Sequence, residues 1–168
     1  MSDSESPLLT PIKQVAIVVH DLQDAVGRFS DRLGLGPWTA YRLEPPRLKD
    51  MRYHGEEAEF SLRNAFAWQG EVQFELLEPL SGPSIWRDHL DAHGEGLHHV
   101  GKFVLDFPAA VAEALAGAFT PLQSASGFGA EGDGAFAYFM PPDLPLIVEL
   151  ISTPRVRIEP EFVYPANC

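Results

Sequence analysis

Apolar positions along the chain change their period several times, and each change marks a predicted element. IKQVAIVV (12–19) is β-branched and almost continuously apolar, which predicts a buried strand. Behind it Leu22, Ala25, Val26, Phe29 and Leu33 recur at helical spacing, so a helix is expected, capped by Asp21 and stopped at Gly34 or Gly36. WTAYRLE (38–44) predicts a strand, and the proline-containing, mixed-charge segment 44–60 predicts a loop. SLRNAFAWQGEVQFELLEP predicts a hairpin, with strands at 61–68 and 71–78 about a turn at Gln69-Gly70. SGPSIWRDHLDAHG predicts a short amphipathic helix carrying Ile85, Trp86 and Leu90.

From residue 97 the pattern starts again. LHHVGKFVLD predicts a strand, and FPAAVAEALAGAF a helix with Pro108 in its first turn. TPLQSASGFG reads as strand or loop. GAFAYFM (134–140) and PLIVELIS (145–152) predict a hairpin around Pro141-Pro142-Asp143, and the tail TPRVRIEPEFVYPANC is extended. Laying the halves over each other, Gln14 falls on His99 and Val15 on Val100, Val19 on Val104, Ala25 on Ala110 and Val26 on Val111, all 85 positions apart. VQFELLEP then falls on LIVELIST, with Glu75 on Glu149, 74 positions apart. Two matches in the same order predict a duplicated β-α-β-β-β module. The expected architecture is α+β, with a leader at 1–10, one module at 11–80, a linker with a short helix at 81–96, a second module at 97–153 and a tail at 154–168. The two curved sheets would form a cup.

Composition narrows the function classes. At 168 residues and 45% apolar content the chain can bury a sizeable core, and no run of eighteen apolar residues predicts a membrane span. MSDSESPLLTP lacks a basic region followed by an apolar one, so it reads as a short disordered leader rather than a signal peptide. The single cysteine, Cys168, excludes an internal disulfide framework and fits a reducing cytoplasm. A formal charge of −12 argues against a nucleic-acid or anionic-membrane surface, while leaving room for a local basic pocket.

The candidate chemistry lies in the repeat. Side chains alternate faces along a strand, so Gln14, Ala16 and Val18 go together, as do His99, Gly101 and Phe103. Gln73, Glu75 and Leu77 share a face, as do Ile147, Glu149 and Ile151. Each module therefore presents one polar residue on its first strand and one acid on its last, among apolar neighbours. A carboxylate buried there without a partner costs several kcal/mol or takes up a proton. A divalent cation held by Gln14, Glu75, His99 and Glu149 satisfies both acids at once. This oxygen-rich set with one nitrogen suits Zn²⁺ foremost, and also Co²⁺, Ni²⁺ or Mn²⁺, with coordination positions left for water or substrate.

Over residues 11–152 the chain resembles the vicinal oxygen chelate superfamily, which includes glyoxalase I, methylmalonyl-CoA epimerase, extradiol dioxygenases and bleomycin resistance proteins. IKQVAIVVHDLQDAVGRFSDRLGLGPW resembles the opening strand and helix of that family. ELLEPLSGPSIWRDHLDAHGEGLHHVGKFV resembles the matching segment of methylmalonyl-CoA epimerases, and LIVELIS the last ligand strand. The resemblance places metal ligands at Gln14, Glu75, His99 and Glu149. Epimerases usually have histidine at the first position, whereas Gln/Glu/His/Glu is similar to the set of zinc-type glyoxalase I. It implies an isomerase, epimerase or lyase that moves a proton next to a carbonyl, with an enolate or enediolate stabilised by the metal. Glu149 is the first implied base and Glu75 the second, with Glu57 and Glu59 as minor candidates. Implied substrates are a CoA ester, a glutathione adduct or another carbonyl compound, and the implied assembly is a homodimer. The alternative is a resistance-type member that binds a small molecule without chemistry.

The remaining polar residues carry less. His98 is expected on the opposite face from His99, as a structural or supporting residue, and His20, His54, His89 and His93 on the surface. Trp38, Trp68, Phe103 and Tyr138 are either cup lining or core. Arg63, Arg87 and Lys102 are the cations considered for an anionic substrate, and GFGAEGDG (127–134) reads as a flexible loop able to close over it.

Overall fold

The structure is a computed structural model and describes residues 6–165. It is a curled, half-barrel sheet of eleven strands with three helices, an α+β fold. In chain order the elements are β1 (Gln14–Val18), α1 (Leu22–Leu33), β2 (Trp38–Leu43), β3 (Lys49–Tyr53), β4 (Glu56–Glu57), β5 (Ser61–Gln69), β6 (Val72–Ser81), α2 (Ile85–His93), β7 (Gly96–Phe103), α3 (Phe107–Ala116), β8 (Thr120–Ser126), β9 (Ala135–Met140), β10 (Val148–Ser152) and β11 (Phe162–Tyr164).

The strand order is β11-β2-β5-β6-β1-β7-β10-β9-β8-β3-β4. Read outward from the centre, β1, β6, β5, β2 mirror β7, β10, β9, β8. Each first strand runs parallel to the last strand of its own set, β1 beside β6 and β7 beside β10. The sets join through the antiparallel pair β1·β7. The 85-residue repeat thus becomes an approximate twofold relation about the centre of a single sheet.

The helices begin where short polar side chains can take up free amides. Asp21 accepts from Asp24 N at 2.8 Å, Ser84 from Arg87 N at 3.1 Å and Asp106 from Ala109 N at 3.0 Å. Helix α1 ends on Gly34, whose φ of 66° is the left-handed conformation glycine adopts without Cβ strain. The apolar stripe of α1, Leu22, Ala25 and Val26, packs with Ile17, Val19, Trp38 and Leu76 on the convex side of the first half. Helix α3 covers the second half, where Ala110 and Ala114 meet Phe139, Val148 and Leu150.

The concave side holds the third core. There α2 plugs one end of the half-barrel with Trp86, fully buried and edge-on to Phe60 and Tyr138 at ring-centroid distances of 5.5 and 5.7 Å. Truncating a buried tryptophan of this kind costs about 3–5 kcal/mol. With this end filled, the cup opens at the other.

Two segments depart from expectation. Within 44–60, read as a loop, β3 and β4 form a small hairpin that pairs with β8. The first half of the chain thereby covers the edge strand of the second, where unpaired backbone groups would otherwise stand open. The tail contributes β11, which pairs with β2 and covers the opposite edge. Of the expected leader, residues 1–5 lie outside the described residues. Leu8 packs in the α3 core, and its carbonyl accepts from Lys102 Nζ at 2.6 Å. Cys168 also lies outside the described residues.

Candidate metal centre

The four residues selected from the repeat stand on the concave face of the central strands, and the register shows why they converge. Gln14 on β1 is opposite Gly101 on β7, which is opposite Glu149 on β10. Ala16 on β1 is opposite both His99 on β7 and Glu75 on β6. Each pair of candidate ligands therefore flanks a residue with little or no side chain, and Ala16 and Gly101 are themselves 85 positions apart. Glycine is required at 101 for space: a Cβ there would stand 2.5 Å from Gln14 Oε1 and 2.8 Å from Gln14 Cβ. We expect Gly101→Ala to fold yet to lose tenfold or more in affinity for Zn²⁺ or Co²⁺ in chelator competition. Unchanged affinity would remove Gln14 from the ligand set.

One ligand atom each from Glu75, His99 and Glu149 lies within 4.8 Å of the others, and all three residues are buried. The His99 Nε2–H donates to Glu149 Oε2 at 3.1 Å. Nε2 also stands 3.3 Å from Glu75 Oε2, at ion-pair distance but without a hydrogen bond to it. Glu75 is steadied at its other oxygen, where Oε1 accepts from Asn64 Nδ2 at 3.0 Å. Gln14 donates its Nε2 to Gln73 Oε1 at 2.9 Å. Gln14 Oε1 and Glu75 Oε2 are both buried and accept nothing among the described residues. Orphaned buried oxygens are costly, and a cation satisfies them. Two carboxylates, an imidazole and an orphaned amide oxygen fit a hard-to-borderline divalent ion.

His98, expected on the opposite face as a structural or supporting residue, does support this group, but it does so by direct contact with His99. Its Nε2–H donates to the Ile85 carbonyl at 3.2 Å, and its Nδ1 lies 2.9 Å from His99 Nδ1. A neutral His98 that donates through Nε2 must accept at Nδ1, so His99 Nδ1–H is the donor. That bond fixes the His99 tautomer and turns its Nε2 toward the carboxylates, the outer-shell support that ligating histidines commonly have.

The charges follow from this packing. Burial alone would push the His99 imidazole down. The charge and hydrogen bond of Glu149, and then the nearby carboxylate of Glu75, outweigh it and raise the pKa to about 9. Burial and the neighbouring His99 charge drive His98 down to about 3. Burial pushes Glu149 upward, partly countered by the charge and hydrogen bond of His99. Tyr138 itself is pushed well above the ordinary tyrosine range, first by burial and then by the charges of Glu149 and Glu75.

Above the acids opens a cavity with Gln14, Glu75 and Glu149 in its lining and aromatic walls that include Phe66, Phe103 and Phe136. Tyr138, Phe103 and Trp86 face it. Trp38 belongs instead to the convex core, and Trp68 is half exposed, stacked on Phe103 at 6.1 Å. Glu57 is exposed on β4 and does not reach the cavity, nor does Glu59. Arg63 is taken by Glu78 and Glu161, Arg87 by the Pro79 carbonyl and Lys102 by that of Leu8, so none of them lines it. His89 is half-buried, its ring 5.3 Å from that of His98. The residues missed from sequence are Asn64 and Gln73, which hold the ligand side chains, and Arg157 at the rim. Gln73 did carry a signal, sharing a strand face with Glu75 two positions away.

Comparisons with known proteins bear on the family and the fold. The profile of the family described as the Glyoxalase/Bleomycin resistance protein/Dioxygenase superfamily matches residues 13–139. A comparison with curated proteins finds no match. Among solved structures, a variant methylmalonyl-CoA epimerase of Streptomyces coelicolor in complex with 2-nitronate-propionyl-CoA is similar at TM-score 0.64 and 22% identity, over 86% of this chain and 98% of that one. A methylmalonyl-CoA epimerase in complex with methylmalonyl-CoA and NH4+ gives 0.65 and 22%, over 89% and 98%. The methylmalonyl-CoA epimerase from Mycobacterium tuberculosis gives 0.62 and 20%, over 86% and 89%.

Proposed function

The chain belongs to the glyoxalase/bleomycin resistance protein/dioxygenase superfamily, and from that premise we propose that it is a divalent-metal-dependent enzyme moving a proton on the carbon next to a carbonyl, in the manner of methylmalonyl-CoA epimerase or glyoxalase I. The observation that supports this is the pair of buried, orphaned oxygens, Gln14 Oε1 and Glu75 Oε2, beside His99 and Glu149 at the floor of an apolar cup. Gln14, Glu75, His99 and Glu149 would hold the ion, with Zn²⁺ first. When bound, it supplies Lewis-acid polarisation of a substrate carbonyl oxygen, which acidifies the adjacent carbon.

The protein's own residues move the proton. Glu149 is the base: burial raises its proton affinity above that of a solvated carboxylate, and the His99 Nε2–H orients it. Glu75 projects from the other side of the β1·β7 pair, held by Asn64. Carboxylates on two sides of one carbon suit an epimerisation, in which a proton leaves one face and returns to the other. The aromatic walls keep bulk water off the reacting carbon, so solvent protons reach it by way of the carboxylates.

The test is metal analysis coupled to solvent exchange. Purified protein is expected to hold a divalent ion and to incorporate deuterium from D2O into methylmalonyl-CoA or into the hemithioacetal of methylglyoxal and glutathione. Chelation should abolish the exchange, and Zn²⁺, Co²⁺ or Ni²⁺ should restore it. An ion-free protein that gains nothing from any of these ions would instead be a small-molecule binder of the resistance type.

A further inference from the structure

Part of the cavity wall comes from the tail rather than from the central strands. Thr153, Pro154, Arg157 and Ile158, which follow the last central strand and lie beyond the matched part of the family, form one side of the same cavity. This segment is fastened rather than loose. Ala130 N donates to the Val156 carbonyl at 2.8 Å, and Arg155 N donates to Asp133 Oδ2 at 2.8 Å, both tying it to the glycine-rich loop 127–134. Farther on, Glu161 N donates to the Ala40 carbonyl at 2.7 Å, and β11 joins β2. The strap is therefore pinned on both sides of Arg157.

The guanidinium of Arg157 lies over two rims of the cup at once, 5.6 Å from the Tyr41 ring centroid and 5.3 Å from that of Phe66. Both rings line the cavity. Neighbouring arginines are engaged: Arg155 pairs with Glu131 and Asp133, and Arg63 with Glu78 and Glu161. Among the described residues no carboxylate lies within 4.0 Å of Arg157 and none of its N–H groups is hydrogen-bonded. It is also the only Lys or Arg in the cavity lining, in a chain of net charge −12. An arginine whose faces are held by aromatic rings keeps its N–H edge free for the two-pronged recognition of an oxyanion.

We infer that Arg157 is a specificity-determining residue that reads an oxyanion, carboxylate or phosphoryl, carried by the substrate where the cavity wall is formed by Tyr41 and Phe66. The inference rests on the cup being the substrate site proposed above. It deepens that reading by giving the substrate three parts: oxygen atoms at the floor, an apolar middle against Phe66 and Phe103, and an anion at the rim.

The experiment is calorimetric titration of the full chain, as purified and after chelation, with hexanoate, with hexanamide of the same shape and with inorganic phosphate. Hexanoate is expected to bind at least tenfold more tightly than hexanamide to the chelated protein. Arg157→Gln should erase that difference while leaving hexanamide binding unchanged, Arg157→Lys should restore part of it, and Arg155→Gln should behave as wild type. Phosphate displacing hexanoate with the same dependence on Arg157 supports the phosphoryl form, and failure to displace it supports the carboxylate form. Equal hexanoate affinity in wild type and Arg157→Gln, or no preference for hexanoate over hexanamide in wild type, overturns the inference. Because the chelated arm needs neither metal nor turnover, that failure is distinct from failure of the metal-enzyme reading, which the exchange assay reports.

Discussion

Replacing Glu149 with glutamine should leave a folded protein whose incorporation of solvent deuterium into methylmalonyl-CoA, or into the hemithioacetal, falls by about 10²–10⁴-fold, the usual contribution of a positioned general base. The substitution keeps shape and volume, so the packing of Tyr138 beside the site has no reason to change. A glutamine oxygen can still accept from His99 Nε2, as Glu149 Oε2 does at 3.1 Å. What is lost is a negative charge that burial has made avid for a proton. Metal content must be measured on the same sample, since the residue is also a candidate ligand. Retained metal with lost exchange assigns the base role to Glu149. Undiminished exchange removes Glu149 as the base, and the same assay on Glu75→Gln then decides whether the role belongs to the acid tethered by Asn64.

How much of this site could be read from the sequence follows from how locally each feature is encoded. The repeat and the alternation of strand faces are short-range patterns, and together they pick out Gln14, Glu75, His99 and Glu149. The register then brings three of these within 4.8 Å and sets Gln14 in the same lining. The same 85-residue step that relates Gln14 to His99 relates Ala16 to Gly101, the two small residues that leave room between ligands. That consequence appears only when the strands are laid side by side. His98 shows the limit of alternation: it falls at a register shift in the β1·β7 pairing, where strict alternation lapses, and its Nδ1 lies 2.9 Å from that of His99. Segment 44–60 pairs with β8, far off in sequence, so its extended form owes more to the open edge it covers than to its own composition. Arg157 belongs to a stretch with no periodicity at all. Its place over Tyr41 and Phe66 is set by the strap and by β11, both long-range contacts.

The second large effect concerns pH, and its sign is fixed by His99. In the metal-free protein its pKa is about 9, so the ring is protonated through the neutral range and its Nε2–H occupies the position a cation needs. Binding an ion must expel that proton. The apparent affinity should therefore rise about tenfold per pH unit up to about pH 9 and then level off, a hundredfold gain between pH 6.5 and 8.5. The same shift bears on stability. A histidine whose pKa is raised on folding stabilises the metal-free protein fully below its unfolded value of 6.5, and that contribution is lost as the pH climbs through about 9. His98 acts in the opposite sense, because its depressed pKa makes folding less favourable as the pH falls from 6.5 toward 3. The metal-free protein should thus be most stable near neutrality and lose melting temperature from pH 6.5 to 9. The metal-loaded protein should not show that alkaline loss, since the ion has already taken the place of the proton. Co²⁺ titration against a competing chelator, in buffers of differing ionisation enthalpy, counts the protons released. About one proton per ion at pH 7.5, together with the tenfold slope, is the expected result. Affinity that stays flat between pH 6.5 and 8.5, with no proton released, would mean that the cation does not bind through His99 Nε2.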